Sequence, residues 1–292
     1  MTYNNVTKKR KVLCVVKNLL ACPICGEALC EKERIYRCTH GHSFDRSSYG
    51  YVNLLLAKDS RGHGDNKEMI MARNRFLSGG WYTPLLQSVA KTAMSVFPQN
   101  GVLLDAGCGE GWYTEGVCQA LKTANISFSA SGIDISKDAL KVAGKRPLAK
   151  AGEIEYAVGS VYKMPFVSDE ADLILNLFAP LAPEEYIRCL KKDGYLILVV
   201  PDRFHLWGLK QVLYDVPYEN EVADSALNGF TLVSEEAVSA HIRLENPADI
   251  QSLFLMTPYA FRTGEAGRAR LMALKCLETE IAFRVFLYKV QK

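Results

Sequence analysis

Long hydrophobic runs are missing from this sequence. None reaches the roughly 18–20 residues that a membrane span requires, so no membrane partner is expected. Internal repeats and low-complexity tracts are missing too, which excludes stacked-repeat and disordered architectures. An export signal is not expected either. Lys8 to Lys11 precede an apolar stretch at 12–16, but Lys17 splits it from 18–22 and no small-x-small cleavage site follows. A cytoplasmic location is therefore expected. There the nine cysteines, an odd number, read as thiols used for metal binding or burial and not as disulfides.

What the chain does have is room and an uneven charge. Its 292 residues, 49% hydrophobic and 23% charged, allow one large globular domain with a small one, or two domains. The net charge is only +3, yet residues 1–81 hold 14 Lys and Arg against 7 Asp and Glu, while residues 82–292 hold 21 against 25. A basic first part suits a nucleic-acid footprint, and suits a solvated surface equally well.

Within that basic part lies the arrangement C-x2-C-x12-C-x3-H, formed by Cys22, Cys25, Cys38 and His42. Two donors on each of two tight turns, joined by a hairpin, offer tetrahedral zinc its four ligands. Residues 35–37 read as one hairpin strand, and Gly26 and Gly41 sit where such knuckles need positive φ. His40 is the alternative fourth ligand at shorter spacing; Cys14 and Cys30 fit no paired knuckle. Four protein ligands close the coordination sphere, so the expected Zn2+ is structural.

The strongest signal is Val102-Leu-Leu-Asp-Ala-Gly-Cys-Gly-Glu-Gly-Trp-Tyr113. A short buried strand breaks into a turn carrying Asp105, Gly107, Cys108, Gly109, Glu110 and Gly111, and a helix opens near Trp112. The spacing is neither the dinucleotide fingerprint nor a phosphate-binding loop. An acid leading the turn suits a ligand with an amino group and a positive centre. The stretch resembles the first motif of class I S-adenosylmethionine-dependent methyltransferases. A second strand at 129–133 ends at Asp134, placed to accept ribose hydroxyls, with Ser136 as the cap of the next helix. A helix at 137–145, strands at 155–158, 172–176 and 194–200, and two more at 229–244 and 281–290 are expected. Before the turn, residues 66–76 read as a helix ended by Gly79-Gly80. Thr83 then reads as the cap of a helix with Pro84 at its first position.

The segments CPIC, CTHGHSFD, GYVNLL, GDNKEMIMARNRFL and GGWYTPL, followed by LLDAGCGEGWYT, resemble the RlmA family of 23S ribosomal RNA (guanine-N1)-methyltransferases. The resemblance implies an α/β, Rossmann-like class I methyltransferase fold with a seven-stranded sheet and a small N-terminal zinc-binding domain. It divides the chain into 1–60 for zinc and RNA recognition, 61–97 as a helical linker, and 98–292 for methyl transfer. It implies S-adenosyl-L-methionine as methyl donor, a 23S rRNA hairpin as partner, and allows a homodimer. By position it carries cofactor contacts onto Tyr82, Ser160, Val161 and His205. In place of the Asn/Asp-Pro-Pro-Tyr/Phe motif of many amino-group methyltransferases, the chain has Leu177-Phe-Ala-Pro180, with Phe178 expected to stack on the target base. No residue stands out as proton acceptor. Lys58, Arg61, Lys67, Arg73 and Arg75 are expected to hold the RNA backbone. A small-molecule methyltransferase and a non-catalytic RNA-binding module are the alternatives.

Overall fold

The computed structural model describes residues 18–56, 64–222 and 225–292; Cys14, Lys58 and Arg61 lie outside the described residues. The small part is an antiparallel sheet of β1 (Cys30–Lys32), β2 (Ile35–Arg37) and β3 (Ser43–Asp45). The next strand, β4 (Tyr51–Asn53), leaves this sheet and pairs in parallel with β7 (Ile154–Val158), Tyr51 opposite Tyr156.

The large sheet also contains β5 (Gly101–Ala106), β6 (Phe128–Asp134), β8 (Ala171–Leu177), β9 (Leu190–Pro201), β10 (Phe230–Leu244) and β11 (Leu277–Val290). Among the described residues it has eight strands in the order β10-β11-β9-β8-β5-β6-β7-β4. Seven of them form the sheet that the resemblance implies, with β11 antiparallel between β9 and β10. The eighth is β4, contributed by the N-terminal region. The chain order reverses at β5, between β6 and β8, so a crevice opens beyond the carboxyl ends of these strands. All six residues of β5 are buried, as a central parallel strand covered on both faces requires.

One face is covered by helices α1 (Lys67–Ser78), α2 (Thr83–Val96), α3 (Trp112–Thr123) and α4 (Lys137–Ala143), through Phe76, Leu85, Val117 and Leu140 among others. The Asn66 side chain caps α1 by accepting the Met69 N–H. In α2 the boundary differs from the sequence expectation. The Leu86 N–H reaches the Tyr82 carbonyl and the Thr83 N–H closes a turn on Gly80, so Tyr82 is the capping residue and Thr83 lies inside the helix. A proline in the first turn tolerates either frame, because its missing N–H would be unpaired in both. Strand β9 is longer than the expected 194–200, because helix α6 (Pro183–Cys189) runs straight into it.

The other face is covered by α6 and by the N-terminal region itself. Leu20, Leu29 and Tyr36 share a core with Val102, Leu104 and Phe166. The Ala21 N–H donates to the Pro165 carbonyl at 2.8 Å, the Val167 N–H to Leu19 at 3.0 Å, and the Tyr36 hydroxyl to Glu155 Oε1 at 2.8 Å. The small sheet is thus cemented to the large one. Helices α5 (Pro147–Lys150), α7 (Trp207–Leu213), α8 (Pro247–Leu255), α9 (Tyr259–Arg262) and α10 (Glu265–Met272) complete the molecule. Among the described residues no helix is long and apolar enough to cross a membrane.

At Gly144, which ends α4, a Cβ would lie 1.9 Å from the Tyr49 carbonyl oxygen. The Gly144→Ala variant is expected to lose about 1–3 kcal/mol of stability by urea unfolding, as overpacking against fixed backbone does. Gly264→Ala, where a Cβ meets nothing within 4 Å and only the cap of α10 is weakened, should cost less, about 0.5 kcal/mol. Equal midpoints for the two variants would contradict the close approach.

Candidate functional site

Cys22, Cys25, Cys38 and His42 converge, their donor atoms all within 4.8 Å of one another. Cys25 Sγ lies 3.6 Å from Cys38 Sγ, and His42 Nδ1 lies 3.6 Å from Cys22 Sγ and 3.4 Å from Cys38 Sγ. A zinc tetrahedron with bonds of about 2.0–2.3 Å has edges of roughly 3.5–3.8 Å, so the donor set fits the ion. Gly26 and Gly41 take φ of +80° and +84°, as the knuckles need. The ring that joins the cluster is His42, through Nδ1, and not His40. Cys30 stays outside, its Sγ accepting from the Asn18 amide at 3.0 Å.

Beyond β5 the backbone turns through Gly107, Gly109 and Gly111, all at positive φ (+90°, +55° and +74°). A Cβ on Gly107 would lie 2.4 Å from the Ala179 Cβ, and one on Gly111 would lie 2.5 Å from the Tyr156 hydroxyl. Glycine is therefore needed here for both conformation and space. The Gly107 and Cys108 N–H groups both donate to the Ile133 carbonyl, tying the turn to β6, and the Cys108 side chain is buried against Gly132. Asp134 grips the turn from the end of β6: its Oδ2 accepts the Gly109 N–H at 2.9 Å and its Oδ1 the Ser136 N–H at 2.8 Å. Ser136 caps α4, as its spacing predicts. Val161 is buried with a methyl 3.9 Å from the Gly107 Cβ position, and the Ser160 hydroxyl accepts the Tyr162 N–H.

The pocket concentrates negative charge. Asp105 is buried, its Oδ2 accepting the Thr114 hydroxyl at 2.6 Å. Burial, helped by the charges of Asp134 and Glu110, pushes its pKa up to about 7 against that hydrogen bond. Burial also raises Glu110 and Asp134, opposed at Glu110 by Arg73 and at Asp134 by the backbone N–H groups. Glu110 Oε1 is buried without a hydrogen-bond partner, 3.8 Å from Arg146. Three carboxyls held above their ordinary range make a site short of positive charge, which fits a ligand carrying an ammonium or sulfonium.

Tyr82 and His205 meet, with 3.3 Å between the phenol oxygen and Nε2. The Ala282 N–H points at His205 Nδ1 at 3.2 Å, which makes Nδ1 the acceptor and leaves the ring proton on Nε2, facing Tyr82. Burial, with Lys210 adding to it, lowers the His205 pKa to about 3. Both nitrogens are thereby occupied. Phe283 packs on Tyr82, His205 and Phe178, with centroids 4.9, 4.4 and 5.5 Å away. Phe178 itself is 46% exposed at φ +61°, a strained conformation for an aromatic residue, at the mouth of the crevice.

Two of the basic residues make ion pairs that the sequence did not signal. Arg73 forms an ion pair with Asp65 and lies 3.8 Å from the Gly109 Cβ position, so its guanidinium stands at the glycine turn. Arg75 pairs with Asp249 at 2.9 Å. Both were assigned by charge alone, which does not reveal which carboxylates they meet. Phe283 and Tyr113 were not singled out at all. Phe283 lies on a strand whose alternation signals only burial. Tyr113, the second residue of α3, could have been found from its place just after the turn.

The family model described as "RlmA, N-terminal" matches residues 20–61, and one described as "Methyltransferase domain" matches residues 103–194. A protein of Bacillus subtilis (strain 168) named "Putative 23S rRNA (guanine-N(1)-)-methyltransferase YxjB" is 32% identical over 88% of this chain and 91% of its own. A Micromonospora griseorubida protein, named likewise without the symbol, is 33% identical over 87% and 91%. The 23S rRNA (guanine(748)-N(1))-methyltransferase of Streptomyces fradiae is 31% identical over 80% and 82%.

Two outcomes follow from this geometry. In the zinc-loaded protein, alkylation read by mass spectrometry should spare Cys22, Cys25 and Cys38 while modifying the exposed Cys30 and Cys276, and chelation should release the three. Rapid modification of the exposed Cys25 in zinc-loaded protein would rule out its ligation. The second outcome concerns pH. With Asp105 at about 7 folded and about 3.9 unfolded, the folded state holds the extra proton between those values. Its contribution to stability therefore falls as pH rises through that window. Asp105→Asn keeps an acceptor for Thr114 and should remove this slope, gaining on the order of 2–4 kcal/mol at pH 8 relative to pH 4. Parallel urea midpoints for both proteins across that range would refute the raised pKa.

Proposed function

The chain belongs to the family of 23S rRNA (guanine-N1)-methyltransferases, and from that premise we propose that it methylates N1 of a guanine in a hairpin of 23S rRNA. The observation that carries the reading is Phe178. It stands exposed on strained backbone at the carboxyl end of β8, immediately before Ala179, which touches the glycine turn. Strain of this kind persists where the surrounding structure imposes it, commonly at functional sites. An aromatic face there offers a wall for an unstacked base, and loop bases of an RNA hairpin are the ones available for stacking.

S-adenosylmethionine supplies an electrophilic methyl on a positive sulfur. In the transfer a bond forms between that carbon and guanine N1, the carbon–sulfur bond breaks, and the N1 proton passes to an acceptor. The chain's part is to hold donor and base in line and to keep water out. Asp134 and the glycine turn hold the donor's ribose and backbone-facing side. Asp105 and Glu110 provide negative charge near its cationic groups, and Ser160 and Val161 flank the adenine. The Tyr82–His205 pair walls the pocket. His205 is not the proton acceptor, because Ala282 and Tyr82 occupy its two nitrogens.

The N-terminal region presents Lys32, Arg34 and Arg37 at the surface, and Lys67 is exposed at the start of α1. Together they suit contacts to RNA phosphates, which fix register and not sequence. The zinc holds that surface in shape. Cytoplasmic ribosomal RNA is the substrate in this reading.

Phe178→Ala is expected to lower the rate of N1-methylguanine formation on a 23S hairpin transcript roughly ten- to a hundredfold, the value of a lost base stack. Binding of S-adenosylhomocysteine by calorimetry should stay unchanged, and Phe178→Trp should restore most of the rate. Mass mapping of 23S rRNA from a strain with and without the gene completes the test. An unchanged methylguanine pattern would refute the reading, and methylation of a free metabolite with RNA inert would replace it.

A further inference from the structure

Arg73 comes from α1, outside the glycine motif, yet its Nη1 lies 3.8 Å from where a Gly109 side chain would begin. Its side chain is 26% exposed and paired through Nη1 with Asp65. Among the described residues its Nε and Nη2 donate no hydrogen bond. Asp65 is itself anchored, since its carbonyl accepts the Ser136 hydroxyl at 3.0 Å. The guanidinium is thereby stationed above the turn with donors to spare. The neighbouring Arg146 is spent: its Nε donates to the Glu110 carbonyl at 2.6 Å and its Nη2 to Asn74.

Tyr113 supplies a second, independent observation. Its hydroxyl is buried and has no hydrogen-bond partner among the described residues. Buried hydroxyls are seldom left so, and one at a pocket calls for an explanation. The ring stands edge-on to Trp112, 4.8 Å between centroids, and 6.2 Å from Phe178. The charges of Glu110 and Arg73 both reach the phenol, and burial keeps it protonated, as a donor. Tyr113 also lies in the first turn of α3, a helix of 12 residues whose positive end faces the site.

A cation with free donors and an unpartnered hydroxyl, both beside a glycine turn at a helix start, make a seat for a carboxylate. The donor named in the proposed function carries one such group, the α-carboxylate of its methionyl end. We propose that Arg73 and Tyr113 hold that α-carboxylate and so position the sulfonium for transfer. The inference rests on S-adenosylmethionine being the donor. It removes Arg73 from the RNA footprint and makes it a positioning residue for the cofactor.

Calorimetry on the full-length, zinc-loaded protein tests it with three probes. S-adenosylhomocysteine has carboxylate and ammonium, its decarboxylated analogue lacks only the carboxylate, and 5′-methylthioadenosine lacks both. Arg73→Gln should weaken S-adenosylhomocysteine about 10- to 100-fold, and Tyr113→Phe about three- to tenfold, the usual range for hydrogen bonds to a charged group. Both variants should bind the decarboxylated analogue and 5′-methylthioadenosine within about twofold of the unaltered protein. Tyr113→Phe removes one unpartnered oxygen and no packing, so it keeps the test valid if Arg73→Gln fails to fold. Equal weakening of all three probes would mean that Arg73 merely shapes the turn through Asp65, and overturns the proposal. Unchanged S-adenosylhomocysteine binding in both variants overturns it too, leaving the donor assignment intact. Failure of the unaltered protein to bind S-adenosylhomocysteine sinks both.

Discussion

The carboxylate of Asp134 joins the glycine turn to the start of α4, adding to the backbone bonds that already tie the turn to Ile133. One oxygen holds the Gly109 N–H and the other the Ser136 N–H. The glycine turn and the start of α4 are thereby set at one distance, and Ser136 passes the constraint to Asp65 through its hydroxyl. From Asp65 it reaches Arg73 and so α1. A buried carboxylate without those N–H partners would be too costly to keep charged. The same bonds that shape the pocket are the ones that let its acid exist there. Removing one would loosen the turn, the cap of α4 and the approach of α1 together.

Negative charge accumulates on one side of this arrangement and aromatic surface on the other. Asp105, Glu110 and Asp134 lie beneath and beside the turn, while Tyr82, Phe178, His205 and Phe283 pack together across the crevice. The acid side suits a cation and the aromatic side a flat ring. Two ligands of different chemistry can therefore meet at the carboxyl end of β8 without competing for the same groups. His205 belongs to the second side as a neutral wall element, since burial and the charge of Lys210 both disfavour its charged form.

The parts legible in the sequence were those carried by short-range spacing. Cys22, Cys25, Cys38 and His42 are placed by their own knuckles, and Gly107, Gly109, Gly111 and Asp134 by one strand-turn-helix step and the next strand. Their geometry could be anticipated because little else in the chain decides it. Arg73 and Arg75 show the opposite. Their basic charge on an exposed-looking helix suggested phosphate contacts, but Asp65 beside the turn and Asp249 on α8 claim them. The Tyr82 cap likewise turned on a Gly80 turn that propensity does not rank. Strand β4 shows the same limit, since a short run such as Tyr51–Asn53 does not say which sheet it will join.

That last pairing changes what counts as a separable piece of this molecule. Residues 51–53 complete the edge of a sheet whose glycine turn and acidic pocket both lie after residue 64. A fragment begun at the apparent linker would keep the whole pocket and still expose the bare edge of β7, together with the apolar face now covered by Leu20, Leu29 and Tyr36. Unpaired edges beside apolar surface invite intermolecular pairing. The N-terminal region thus carries a metal site and also closes the edge and one apolar face of the large sheet.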